Sequence, residues 1–173
     1  MNETSGPQNV GRAMQQQVPP AWLEWLRGKC ADLPETVEQS AWVGTRWRLR
    51  RQTVAHLLMI EDTWPPACAA AACQDGPLCV LTFRSDLPQA AVHAFSWEPS
   101  FIPRWCPDIV GIKLRQRNDW RVLEGLVRAS YCRLAPVKLA APVRASERRA
   151  CETLRHALSC ARNGAALRCK CSP

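Results

Sequence analysis

Apolar residues recur along this chain with two different periods, and each change of period marks a change of element. After Pro19-Pro20, the residues Trp22, Trp25, Leu26 and Cys30 fall at helical spacing. This predicts a helix that begins on a proline, tolerated in a first turn, and stops at Leu33-Pro34. Between 46 and 50 the period becomes two. Trp47 and Leu49 share one side and Arg46, Arg48 and Arg50 the other, as in a half-buried strand. Residues 53–60 are β-branched and aliphatic on both sides, so they predict a more deeply buried strand, paired with the first through a turn near Arg51-Gln52.

Trp64-Pro65-Pro66 and Asp75-Gly76-Pro77 bracket an alanine-rich stretch, which reads as one short helix within a long connection. Residues 78–84 form the next expected strand. Ser85 or Asp86 can cap a helix reaching about Phe95, with Pro88 in its first turn. The two prolines between Phe101 and Pro107 indicate an irregular loop. In residues 109–115, Val110, Ile112 and Leu114 alternate with Lys113 and Arg115. Asn118-Asp119 supplies an N-cap for a helix whose apolar stripe is Trp120, Leu123, Val127, Tyr131 and Leu134, closed by Ala135-Pro136. The order implies an α+β fold: a two-layer α-β-α sandwich, its antiparallel sheet covered by helices on one face and free on the other. Trp22, Trp47, Leu49, Val110, Ile112, Leu114, Trp120, Leu123 and Tyr131 share one phase and are expected to form one core.

A chain of 173 residues suffices for one domain with ragged ends. Residues 1–20 read as a polar, disordered lead-in, 21–140 as the domain, and 141–173 as a basic, cysteine-rich, poorly ordered tail. Charge supports that division. Residues 1–140 carry a net +3 and residues 141–173 a net +5, so most of the excess lies in the tail. The opening residues lack an apolar targeting segment, and no run approaches the roughly 18 apolar residues that cross a bilayer. A cytoplasmic protein with reduced thiols and no membrane partner is the expectation, despite its ten cysteines.

The segments AWVGTRWRLR, VLTFRS, VGIKLRQRNDW and SYCRLAPVKLA resemble those of the MmcQ/YjbR family, small bacterial proteins whose fold is similar to that of the frataxin homologue CyaY. The resemblance spans roughly residues 22–140. It implies the α-β-α sandwich, a DNA-binding role of the double-wing kind, an opening of the last helix at Asp119-Trp120, and packing of Ser130-Tyr131 on the sheet. Iron handling like that of frataxin is not expected. The first helix sets Glu24 and Asp32 against Arg27 and Lys29 and lacks the clustered carboxylates a hard cation needs.

If Trp47, Leu49, Val110, Ile112 and Leu114 point under the helices, then Arg46, Arg48, Arg50, Lys113 and Arg115 point to the other face, with Arg51 and Arg117 at the adjoining turns. Without carboxylates beside them in sequence, these seven cations suit a phosphate backbone, bound with salt sensitivity. The plainer alternative is a solvated strand exterior kept charged against aggregation. No residue stands out as a base reader, so weak sequence specificity is expected. Trp22, Trp25, Trp47 and Trp120 occupy inward phases, while Trp97 and Trp105 fall in loops.

The tail residues Cys151, His156, Cys160, Cys169 and Cys171 lack zinc-site spacing. His56, His93 and His156 have no nucleophile partner by motif, and there is no glycine-rich phosphate loop. The sequence therefore points to a non-enzymatic DNA-binding protein without metal, cofactor or small-molecule substrate. The competing reading is a protein-interaction module whose basic face meets an acidic partner.

Overall fold

Alternation in TRWRL and the aliphatic run in QTVAHLLMI produce the hairpin at the centre of the fold, β2 (Thr45–Leu49) and β3 (Gln52–Ile60). The computed structural model describes residues 17–85, 100–103, 106 and 108–146. Its other elements are α1 (Pro20–Ala31), β1 (Thr36–Ser40), α2 (Pro66–Ala72), β4 (Leu78–Arg84), β5 (Ser100–Phe101), β6 (Ile109–Lys113) and α3 (Trp120–Leu134), with a further helical stretch over residues 137–146. The six strands form one open antiparallel sheet in the order β1-β2-β3-β4-β6-β5. The molecule is an α+β sandwich. Among the described residues no helix is long and apolar enough to cross a membrane.

The expected core forms. Trp47, Leu49, Leu57, Leu81, Phe83, Val110, Ile112 and Leu114 face α1 and α3, whose Leu26, Cys30, Leu123, Val127 and Tyr131 meet them, with Trp22 and Trp120 at its margin. Trp120 packs on both Trp25 and Trp22, at 4.7 and 6.3 Å between ring centroids. Asp119 caps α3, its side chain accepting from the Arg121 and Val122 N–H groups. The Tyr131 hydroxyl donates to the Pro34 carbonyl at 3.0 Å, tying α3 to the turn after α1.

A bulge in the hairpin is completed from α3. In register, Trp47 faces Ala55 and Arg48 faces Thr53, so Val54 is left opposite no residue of β2, and the β3–β4 ladder begins only at Ala55 and Phe83. The buried Ser130 hydroxyl takes over at that point. It donates to the Val54 carbonyl at 2.6 Å and accepts from the Arg84 N–H at 2.9 Å, bridging two strands where their own ladder has ended.

Five features depart from the pattern-based expectation. β1 was not anticipated, because TVEQS shows almost no burial on either side and so carries no alternation to read. The segment expected to be an irregular loop contributes the short edge strand β5. The face opposite the main core is not free. Leu58, Ile60, Leu78, Val80 and Val43 form a second apolar cluster there with Cys68, Ala69 and Ala72 of α2 and with Phe101. Small residues let α2 lie close to the sheet, and Gly111 makes room for Phe101, whose ring a Cβ at that position would strike. The core also reaches past 140, since Val143 is buried with Ala140 in the helical stretch 137–146, and it starts before 20, since Val18 packs on it. The helix expected near 86–95, the lead-in before residue 17 and the tail after 146 lie outside the described residues.

Candidate nucleic-acid interface

Residues of β1 and β2 alternate between the two faces of the sheet, and those opposite the main core are Val37, Gln39, Arg46 and Arg48. Gln39 is the Cα partner of Arg46, and Val37 that of Arg48. Both guanidinium groups converge on one acceptor. Arg46 Nε and an Arg48 terminal nitrogen each donate to Gln39 Oε1, both at 3.1 Å. Neither arginine is ion-paired with a carboxylate among the described residues. The nearest acid on β1, Glu38, sits on the other face, where Arg27 hydrogen-bonds it and holds it below the usual carboxylate range. An amide oxygen is a neutral, exchangeable ligand, so the arginine pair keeps its positive charge and its remaining donors for an anion.

The other five candidate cations do not join this pair in one ribbon. Arg50 and Arg51 form the β2–β3 turn, with Arg50 at φ 55°, and Arg50 lies 3.9 Å from Glu35. Lys113 has the expected facing, opposite Val80, but is buried at 5% exposure and presents no charge at the surface. Alternation set its direction correctly; exposure depends on the second layer, which the pattern did not reveal. Arg115 and Arg117 are exposed beyond the end of β6, where the Arg115 N–H donates to Asn118 Oδ1 at 2.9 Å. β3 and β4 stand between β2 and β6, a separation of about 14 Å. The seven residues therefore fall into a β2 group of Arg46, Arg48, Arg50 and Arg51, a distant pair, and one buried lysine.

His56 faces Arg46 across the hairpin, and its Nε2–H donates to the Val43 carbonyl at 2.7 Å. Burial lowers its pKa, as does the Arg46 charge, against the opposing effect of the Val43 hydrogen bond. It is a neutral structural donor beneath the arginines. Val43 and Trp42 form the tip of the β1–β2 hairpin, closed by the Ala41 N–H donating to the Gly44 carbonyl at 3.0 Å. Gly44 is required there. Its φ is +72°, and a Cβ would collide with the Leu57 carbonyl oxygen.

Sequence reasoning missed three residues here. Gln39 lay in an unassigned strand, although Thr36 and Val37 are β-formers. Trp42 and Trp64 lie outside the periodic segments, yet Trp42 is 74% exposed and touches Trp64 with ring centroids 4.9 Å apart and planes at 86°.

No known protein family, curated protein or solved structure matches this chain.

Proposed function

We propose that the chain is a non-enzymatic, cytoplasmic nucleic-acid-binding protein of MmcQ/YjbR type that grips phosphates through the β2 arginines with little regard to sequence. The observation that carries this reading is the convergence of Arg46 and Arg48 on the single amide oxygen of Gln39 at 3.1 Å, with neither ion-paired to a carboxylate among the described residues. A phosphate oxygen can take the place of that amide oxygen and adds a charge the amide lacks. Arg50 and Arg51 extend the positive field around the turn, with Arg50 partly compensated by Glu35. Lys113 is excluded from the contact set by burial, and Arg115 and Arg117 belong to a separate patch. Two neighbouring guanidinium groups imply modest affinity.

The test is retention on labelled nucleic acid as a function of salt. Replacing Arg46 and Arg48 together with glutamine should weaken binding alike on unrelated sequences and lower the salt slope by nearly two phosphate contacts, about 0.9 each on duplex DNA. The tail, with its net +5, is common to parent and variant and cancels in the comparison. An unchanged slope rejects the phosphate reading. It would favour the competing one, an acidic protein segment laid along the outer edge of β1. A groove of about 430 Å³ lined by Glu35, Val37, Glu38, Gln39, Arg48 and Arg50 runs there, and Val37 is 63% exposed.

A further inference from the structure

We propose that this face takes single strands rather than duplex, with Trp42 as a base-stacking surface at the start of the phosphate track formed by Arg46 and Arg48. The inference rests on the phosphate reading above and adds the base to it.

Three observations support a single site for the indole and the guanidinium groups. Trp42 stands at the hairpin tip, in the turn four residues before Arg46 that leads into β2, so Trp42 and Arg48 are separated by at most about 20 Å. Val43 buries its side chain against Leu58 and Ile60 on the face opposite the main core, and its carbonyl accepts from His56, the cross-strand neighbour of Arg46. Trp64 meets Trp42 nearly at a right angle, a contact that braces the ring edge-to-face and leaves Trp42 74% exposed. An indole so exposed gains little from burial, whereas the other described tryptophans apart from Trp64 pack into or against the core.

Single strands follow from the pairing of these groups. A stacking ring needs a base whose face is open, and in a duplex the neighbouring base pairs close both faces. Acidic residues fix the direction in which a strand can run. Glu61 and Asp62 precede Trp64, and Asp75 lies beside it through the Thr63 N–H bond to its carbonyl. They disfavour phosphates beyond Trp64 and leave the path from Trp42 across Arg46 to Arg48.

The experiment uses the full chain and fluorescence anisotropy of end-labelled oligothymidylate and oligouridylate of about ten residues, with a duplex of the same length alongside. The parent should bind the single strands more tightly than the duplex. Trp42→Ala should weaken single-strand binding about five-fold or more, the effect of losing one stacked base, and leave duplex binding unchanged. Trp42→Phe should restore most of the loss. Because Trp42 lies at a solvent-exposed tip, melting temperatures of both variants should match the parent; a Phe variant that folds as the parent yet binds like the Ala variant counts against stacking. A loss confined to one of the two strands supports the proposal and identifies DNA or RNA as the preferred ligand. The proposal is overturned if Trp42→Ala binds single strands as the parent does, or if duplex is bound as tightly as either strand. Failure of the underlying phosphate reading looks different: the Arg46→Gln, Arg48→Gln variant would then bind single strands and duplex as the parent does, whatever Trp42 contributes.

Discussion

His56 shows how one side chain makes the β1–β2 hairpin sensitive to acid. Its Nε2–H holds the hairpin tip by the Val43 carbonyl at 2.7 Å, and burial lowers its pKa from the ordinary 6.5. The unfolded chain therefore takes up the proton more readily than the folded one. Stability from the neutral ring is fully present above the unfolded pKa and is lost as pH falls through that value towards the folded one. Glu38, Asp108 and Glu124 have carboxylate pKa values lowered from 4.5, 3.8 and 4.5, so their losses begin only in more acidic solution. We predict that the urea midpoint of the parent falls between about pH 7.5 and 5.5. His56→Gln, which keeps a donor for Val43 but cannot titrate, should show a flatter profile over the same interval. Equal pH dependence in the two proteins would count against His56 as the responsible group. Legibility also differed from residue to residue. A period of two turns Trp47 and Leu49 inward, because a strand obliges its neighbours to take opposite sides. The same rule turns Lys113 outward, and it does point away from the main core, but it is buried. Direction is written in the local pattern; coverage is a property of whatever packs above it.

Between elements, the informative contact is Ser130. It substitutes for a rung that β3 and β4 do not make across the bulge at Val54, so a side chain of α3 completes the backbone bonding of the sheet. Ser130→Ala leaves a partly buried N–H and a buried carbonyl without this partner, and we predict a loss of about 1–3 kcal/mol. The urea midpoint should fall at unchanged denaturant dependence, and hydrogen exchange at the Arg84 amide should speed up more than at Leu81. A loss under about 0.5 kcal/mol, the scale of an ordinary surface change, would show that water replaces the hydroxyl. The SYCRLAPVKLA motif suggested that this serine packs on the sheet. What it does there depends on the bulge, and no pattern of apolar residues records a one-residue slip in pairing. β1 was invisible for a related reason: an edge strand exposed on both faces has no buried side to betray it.

For the molecule as a whole, the described core extends further along the chain than composition suggested. Residues 137–146 begin where the sequence seemed to be leaving the domain, yet Val143 is 5% exposed and Val137, in the same helical stretch, is 84% exposed. That contrast supplies its own control. Val143→Ala should cost about 2 kcal/mol, from the lost apolar burial and the cavity left behind. Val137→Ala should stay within about 0.5 kcal/mol, both measured by urea unfolding. Similar small effects at the two sites would return the boundary to residue 140.

The sheet face opposite the main core is divided. Its β3–β4–β6–β5 part is covered by α2 and Phe101, while on its β1–β2 part, among the described residues, Val37 and Gln39 are exposed and Arg46 and Arg48 half-buried. A lineage or a designer varying this protein thus meets two regimes on a single surface. Leu58, Val80 and Ile60 tolerate little change, because each is locked to several neighbours. Val37, Gln39, Arg46, Arg48 and Trp42 can be rewritten with small effects on folding. Surface variation should accordingly accumulate in this hairpin, long before anything changes in the scaffold that presents it.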